Sequence, residues 1–206
     1  MDETAAVLVP EAPTLPKLRE AAAVCKACPL WEGTTQTVFG EGPAKARVII
    51  VGEQPGDRED REGHPFVGPA GRELARGMEA AGLARDDVYI TNTVKHFKYK
   101  ARGKRRIHQK PDAAEIRACL PWLQAELEVV RPEALVCLGA TAAQALLGRS
   151  FRVTRERGTL VESELAPIVS ATIHPSAILR APDERERQEE REAFAQDLRV
   201  VVEALG

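Results

Sequence analysis

Four short, largely apolar runs limit the folds that are open to this chain of 206 residues. They cover residues 48–51, 88–91, 134–138 and 168–173, and each stops at a glycine or a polar residue. Runs of this length and composition are typical of strands that are buried on both faces of a parallel sheet. We therefore predict a parallel sheet with ligand-binding residues at the carboxyl ends of its strands.

Stretches with helical periodicity lie between these runs. Residues 71–81 follow the first loop, and residues 112–130 carry an apolar stripe that begins at a capping box of Asp112 and Glu115. A last amphipathic helix is predicted near the C-terminus, with the charged stretch 183–192 as its exposed first turns. Strands that alternate with helices predict an α/β/α sandwich, and the length fits one domain over residues 1–206.

Composition and charge exclude several classes of protein. Hydrophobic residues make up 44% of the chain and charged residues 29%, and the net charge is −2, unlike a basic nucleic-acid coat or a disordered charged tail. The longest uncharged run, residues 134–148, is too short to cross a bilayer. No basic segment precedes an apolar stretch at the N-terminus. We expect a cytoplasmic protein that makes no membrane contact.

The cysteines indicate a metal site. Cys25 and Cys28 form a Cys-x-x-Cys pair, and Cys119 and Cys137 follow on the long predicted helix and the third predicted strand. In a reducing compartment, four thiols with one close pair favour metal or cluster ligation over disulfides. Their spacing does not distinguish zinc from a [4Fe–4S] cluster. The alternative for Cys119 and Cys137 is burial as small apolar residues.

A basic stretch follows the second predicted strand. Residues 95–110 contain eight lysines and arginines and no acidic residue, interleaved with aromatic side chains and with His96 and His108. Because the stretch begins at a strand end and its aromatic residues can stack on bases, it favours a phosphate-binding loop. The alternative is a solvated face without function.

Other candidate site residues also follow predicted strands. The loop after the first strand is rich in glycine but carries four acids between Glu53 and Asp60, which favours a base or sugar pocket over a polyphosphate site. Phe66 can stack on a planar ring, and the amide of Asn92 offers the donor and acceptor that match the edge of uracil. His174 can donate to a departing base. The alternatives are a core phenylalanine, a turn-capping asparagine and a structural histidine.

The order of these motifs resembles that of the family 4 uracil-DNA glycosylases, which carry an iron–sulfur cluster. The motifs are Cys-x-x-Cys, Gly-Glu-x-Pro-Gly, Pro-Phe-Val-Gly-x-Ala-Gly, Tyr-Ile-Thr-Asn, Cys-x₁₇-Cys and His-Pro-Ser. They run from Cys25 to beyond His174. Two departures, Gln54 and the enlarged stretch 104–108, are similar to the UdgX subgroup, whose members become covalently attached to uracil-containing DNA through the histidine of that loop.

The resemblance implies a fold, a cofactor and a set of site residues. The fold is a three-layer α/β/α sandwich with a central four-stranded parallel sheet. The cofactor is a [4Fe–4S] cluster on the four cysteines Cys25, Cys28, Cys119 and Cys137. The residues implied to contact uracil are Gly52, Gln54, Phe66, Asn92 and His174. The residues expected to contact DNA phosphates are Lys104, Arg105, Arg106 and Ser176.

The chemistry of the glycosidic bond assigns roles to the remaining residues. Its cleavage develops positive charge on the sugar and negative charge on the base. Glu53 is the candidate to stabilise the sugar, with Asp57 orienting it, and His174 is the candidate to stabilise the base. If the imidazole of His108 lies closest to C1′, it bonds to the sugar, and we expect Gln54 to hold that ring.

We therefore predict a uracil-DNA glycosylase that is monomeric, prefers single-stranded DNA and captures its product through His108. Single strands are preferred because a base leaves them at the lowest cost. One alternative is a multiple-turnover family 4 enzyme, in which water attacks the sugar. Another is a metal-containing module that binds single-stranded DNA without chemistry. The protein is expected in the bacterial cytoplasm, and at the nucleoid when bound to DNA.

Overall fold

A parallel four-stranded sheet forms the centre of the protein, for which a computed structural model describes residues 4–206. Its strands are β1 (Val48–Gly52), β2 (Val88–Asn92), β5 (Ala134–Leu138) and β6 (Ile168–Thr172). They lie in the order β2-β1-β5-β6, and every neighbouring pair is parallel. The predicted runs match these strands to within one residue at each end.

Helices cover both faces of the sheet. They are α1 (Leu15–Ala22), α2 (Asp57–Glu62), α3 (Pro69–Ala81), α4 (Ala113–Val130), α5 (Gly139–Leu147), α6 (Val153–Glu156) and α7 (Glu184–Leu205). One face of the sheet packs against α3 and α7, and the other packs against α4 and α5. The three-layer α/β/α architecture is therefore confirmed. In the described part of the chain, no helix is long and apolar enough to span a membrane.

The predicted helices form with small changes at their ends. Asp112 and Glu115 make the expected capping box, with the Asp112 side chain accepting from backbone N–H groups of the first turn of α4. Helix α3 begins at Pro69 instead of residue 71, because proline fits the first helical turn, where its missing N–H costs nothing. The charged stretch 183–192 does form the start of α7.

The basic stretch folds as a hairpin that the sequence did not predict. Strand β3 (Tyr99–Arg102) pairs antiparallel with β4 (Arg105–His108). The residues that lead into the hairpin, 95–97, are buried, whereas most of residues 100–110 are exposed. The interpretation of the whole stretch as a phosphate-binding loop is therefore wrong for its first part.

Candidate active site

Four predicted site residues meet at the carboxyl edge of the sheet. Gly52 and Asn92 are register partners at the ends of β1 and β2. A Cβ atom added to Gly52 would lie 2.6 Å from Cζ of Phe66, and nearer still to Oδ1 of Asn92. The Phe66 ring lies 6.0 Å from the ring of His174, which follows β6. These four residues therefore lie together at this edge of the sheet, and the space that they border is called the pocket.

Local backbone conformation sets the position of the Phe66 ring. Phe66 has a φ of 56°, in the left-handed region that side-chain-bearing residues rarely adopt. A Cβ at Gly71, in the first turns of α3, would collide with the carbonyl oxygen of Phe66. The Pro-Phe-Val-Gly-Pro-Ala-Gly motif therefore folds the strained turn directly onto the start of the helix. Backbone strain of this kind is often found at ligand sites.

Asn92 has an unsatisfied acceptor inside the pocket. Its side chain is buried, and Oδ1 has no hydrogen-bond partner within residues 4–206. An unpaired buried polar group costs about 1–3 kcal/mol. A ligand that donates a hydrogen bond to this oxygen, as N3–H of uracil does, would remove that cost.

His174 is a neutral hydrogen-bond donor. Burial, followed by the nearby positive charges of Arg180 and His108, lowers the pKa of His174 to about 4. The backbone N–H of Ser176 donates to Nδ1 at 3.2 Å, and the Ser176 hydroxyl lies 2.8 Å from the same atom. Because Nδ1 accepts, the neutral ring carries its proton on Nε2. That N–H can stabilise charge on an oxygen of a departing base.

His108 lies beside the predicted carboxylate. Its Nε2 atom is 3.3 Å from Oε1 of Glu53 and 2.8 Å from Nε2 of Gln54, and its side chain is half exposed. The neutral ring accepts from Gln54, whereas the protonated ring donates to Glu53. Glu53 also accepts a short hydrogen bond from the Thr141 hydroxyl at the start of α5. Thr141, which was not predicted from the sequence, thus orients Glu53. That role was predicted for Asp57.

Gln54 joins the loop after β1 to both ends of the hairpin. Its Oε1 accepts from the backbone N–H of Lys98 at 3.0 Å. Its Nε2 lies 2.9 Å from the carbonyl oxygen of Gln109 and 3.3 Å from that of Lys98. This amide therefore holds the backbone on both sides of His108 as well as the ring.

Arg106 faces inward instead of towards solvent. Its guanidinium pairs with Asp57 and lies 2.6 Å from Oδ2 of Asp60, which is fully buried. It also stacks over the rings of Phe97 and Tyr99. Although desolvation opposes the shift, hydrogen bonds from Arg106 and Arg61 lower the pKa of Asp57. Arg106 was predicted to contact a DNA phosphate, and Asp57 was predicted to orient Glu53. In the structure the two side chains pair with each other and attach the hairpin to α2.

Exposed cations surround the turn of the hairpin. Lys104 and Arg105 are exposed there, as are Lys100 and Arg102 on the preceding strand. These side chains form a positive rim next to the pocket, suited to a nucleic-acid backbone. Ser176, the other predicted phosphate contact, hydrogen-bonds to His174 and accepts from Arg180 at 3.1 Å.

Three of the four cysteines are neighbours, and the fourth is not. Burial and then the nearby thiols of Cys28 and Cys25 raise the pKa of Cys119 to about 12. The pKa of Cys137 is also raised to about 12, but by burial alone. It lies in β5 in the apolar cluster between the sheet and α4, away from the cluster that holds Cys25 and Cys119. The structure therefore brings together three of the four predicted cysteine ligands and places Cys137 apart from them.

His96 is a buried residue that lies next in the chain to a contact of Cys119. The backbone N–H of Lys95, the residue before His96, donates to Sγ of Cys119 at 3.2 Å. Thr37 lies 3.0 Å from Nε2 of His96, and burial lowers the pKa of His96 to about 4. Within residues 4–206, no group of three or more His, Cys, Asp or Glu side chains is arranged to hold a metal ion as it stands.

Comparisons with known proteins show the family of the chain. The model of the uracil DNA glycosylase superfamily matches residues 39–199, and the chain belongs to that superfamily. It is 38% identical to the type-4 uracil-DNA glycosylase of Sulfurisphaera tokodaii over 86% of this chain and 81% of the relative. The type-4 enzyme of Thermotoga maritima is also 38% identical, over 76% of this chain and 78% of its own length. A type-5 uracil-DNA glycosylase of Pyrobaculum aerophilum is 34% identical over 66% of this chain and 64% of the relative.

Proposed function

We propose that the protein excises uracil from DNA and that His108 then forms a bond to C1′ of the remaining sugar. The observation that carries the proposal is the position of His108 Nε2, between Glu53 and Gln54 at the edge of the base pocket. Type-4 relatives of similar length support the first part of the proposal. The enlarged basic hairpin, to which His108 belongs, supports the second part.

The pocket groups match the charges that develop as the base departs. Phe66 stacks on uracil, Oδ1 of Asn92 accepts from N3–H, and Nε2–H of His174 donates to a base oxygen. The bond between C1′ and N1 breaks with its electron pair on the base. Glu53 carries the complementary negative charge beside the sugar cation.

His108 completes the reaction as the nucleophile. The lone pair on Nε2, which accepts from Gln54 in the neutral ring, forms the new bond to C1′. The imidazolium produced loses its Nδ1 proton through solvent, and uracil takes up that proton and leaves as the neutral base. The hairpin keeps the ring closer to C1′ than a water molecule, because Gln54 holds the chain at both ends of the hairpin and Arg106 holds β4 to α2.

DNA contacts and the cofactor complete the proposal. Lys104 and Arg105 neutralise phosphates beside the lesion, and single-stranded DNA is preferred because its bases leave the stack at the lowest cost. Cys25, Cys28 and Cys119 would hold a [4Fe–4S] cluster, and the buried His96, next in the chain to the Lys95 that contacts Cys119, would be the candidate fourth ligand. Neutral, buried imidazole suits this position. When bound, the cluster supplies a structural crosslink between the N-terminal segment and α4.

A uracil-containing oligonucleotide tests the proposal. We expect a band of protein plus DNA that survives detergent and heat, and one equivalent of free uracil for each protein molecule. His108→Gly should abolish the band, whereas the control His64→Gln, which changes an exposed histidine paired with Glu41, should retain it. A band that persists in His108→Gly would refute the role of His108.

The other outcomes separate the two alternative functions. Several equivalents of uracil without a band would indicate a multiple-turnover enzyme of the type-4 kind, in which His108 contacts DNA without attacking it. Binding of DNA without any free uracil, in iron-loaded protein, would indicate a binding module. Brown protein with iron content near that of a cluster would support iron–sulfur over zinc.

A further inference from the structure

A buried lysine ammonium holds the backbone at the base-reading residue. Strand β2 is an outer strand of the sheet, so the carbonyl of Asn92 at its end has no strand to pair with on that side. Nζ of Lys95 donates to this carbonyl oxygen at 2.7 Å and to the Thr91 hydroxyl at 2.7 Å. The Lys95 side chain is only 1% exposed. A charged ammonium group thus donates the hydrogen bond to the Asn92 carbonyl that a neighbouring strand would otherwise donate.

Glu126 on α4 balances the charge of Lys95. Its Oε2 lies 2.5 Å from Nζ, and the Glu126 side chain is 0% exposed. Its Oε1 accepts from the Tyr89 hydroxyl at 2.8 Å and from the backbone N–H of Gly40 at 3.2 Å. Burial and then the charge of Glu126 raise the pKa of Tyr89. Every proton of the ammonium and both carboxylate oxygens therefore have partners.

Such a pair is not explained by stability alone. Desolvation of two charges roughly cancels their attraction, and apolar replacements of similar volume are often no less stable. The pair instead specifies one relative position of β2 and α4, because all of its hydrogen bonds form only in that position. That arrangement fixes the backbone carbonyl of Asn92, the point of the chain from which its side-chain amide extends.

The same lysine also touches the cysteine site. Its backbone N–H donates to Sγ of Cys119, and its Nζ lies 5.3 Å from the centre of the Phe39 ring. Phe39 packs edge-on against Trp122, whose Nε1 donates to Sγ of Cys25 at 3.4 Å. Lys95 therefore contacts Asn92 on one side and Cys119 on the other, and it is linked to Cys25 through Phe39 and Trp122.

We propose that Lys95, held by Glu126, is a positioning residue that fixes Asn92 and thereby sets the selectivity for uracil over cytosine. This inference rests on the proposed function, in which Asn92 reads the base. Uracil presents an acceptor at position 4 and a donor at N3, and cytosine presents the reverse pattern. A rotated asparagine amide matches cytosine, so selectivity requires an amide that does not rotate.

Neutral replacement of the pair tests the inference. Lys95→Met with Glu126→Gln removes both charges and leaves no unpaired ion. We expect the ratio of excision rates on uracil and cytosine oligonucleotides to fall about tenfold or more, because the site can then accept the wrong donor pattern. Nitrogen-15 NMR of the Asn92 side-chain amide should change from one signal pair to exchange-broadened signals. Iron content should stay as in the wild type.

Two further variants keep the test decisive. Glu73→Gln with Arg191→Met removes another pair with a buried carboxylate, between α3 and α7, and should leave the ratio within about twofold. Thr91→Val removes one hydroxyl of the network with little change in volume, and should lower the ratio about threefold even if the double variant does not fold.

The outcomes separate this inference from the proposed function. If Asn92→Ala abolishes selectivity while both network variants keep the wild-type ratio and a single amide signal pair, the inference is refuted. If Asn92→Ala itself keeps full uracil selectivity, the reading role of Asn92 in the proposed function fails instead. If the control variant Glu73→Gln with Arg191→Met lowers the ratio as much as Lys95→Met with Glu126→Gln does, Lys95 acts only through general stability. That result would also overturn the inference.

Discussion

Substitution of Gly52 by alanine should close the base pocket while leaving the fold intact. Gly52 ends β1, and its φ lies outside the left-handed region, so the backbone accepts alanine without strain. The new methyl group would lie 2.6 Å from Cζ of Phe66 and even closer to Oδ1 of Asn92. Both neighbours belong to the pocket, so the cost of the substitution falls mainly on the site.

The distances give the size of the effect. Ordinary van der Waals contact begins near 3.4 Å, so the Phe66 ring has to move by about 0.8 Å, and the Asn92 amide has to move further. A displacement of about 1 Å in a positioned group costs about 100-fold in rate. Overpacking costs about 1–3 kcal/mol, which the reduced freedom of the unfolded chain offsets by about 0.4–1 kcal/mol. We therefore expect the single-turnover rate constant of uracil release to fall about 100-fold and the melting temperature to fall by only a few degrees.

Gly33 provides the matched control. A Cβ added there meets only the Tyr99 ring, at 3.8 Å, which is ordinary contact. Gly33→Ala should therefore keep its rate of uracil release within about twofold of the wild type. Single-turnover release of uracil from a labelled oligonucleotide measures both variants, and calorimetry gives their stability. A Gly52→Ala protein that is stable and retains full activity would show that the base does not lie between Phe66 and Asn92.

Three other expectations concern acid stability, iron binding and DNA contacts. The pKa of His174 is about 4 in the folded protein, against 6.5 for the ordinary side chain, so the unfolded chain takes up the proton first and stability falls as the pH drops from 6.5 towards 4. Denaturant unfolding should therefore show wild type losing about 2 kcal/mol more than His174→Gln between pH 7 and pH 5, and equal losses would refute the shift. Cys137→Ala should retain its iron and lose about 1 kcal/mol of stability, whereas Cys119→Ala should lose the iron; metal analysis of the purified proteins decides this. Lys104→Gln and Arg105→Gln should each lower the slope of log affinity against log salt by about 0.7 on single-stranded DNA, and an unchanged slope would remove that residue from the phosphate contacts.

The sheet and its pocket residues were accessible from the sequence because both follow from local patterns. Buried parallel strands appear as continuous apolar runs, and ligand sites lie at their carboxyl ends. Gly52, Asn92 and His174 end or follow predicted strands, and the resemblance to the family 4 enzymes then implied their contacts with uracil. The structure brings all three to one edge with Phe66.

The hairpin was not accessible in the same way, because its arrangement depends on partners far away in the chain. Arg106 has the same local surroundings as Lys104 and Arg105, three basic residues in succession. It points inward because Asp57 and Asp60, 49 and 46 positions away, lie beneath it on α2. Only the folded chain shows which member of the basic stretch pairs with carboxylates and which remain exposed for DNA.

The separation of Cys137 from the other three cysteines has a physical cause in helix α4, which is buried on two sides. Leu123 and Leu127 face the sheet and the cluster that contains Cys137, whereas Cys119 and Trp122 belong to the cluster formed with the N-terminal segment. A helix that is apolar over more than one face is typically buried on more than one side. The helix therefore stands between a cysteine in the sheet and any ligand bound by Cys119. The seventeen residues between Cys119 and Cys137 in the sequence do not indicate this separation. The wide apolar face of α4 does indicate it, because it predicts a helix with a neighbour on each side.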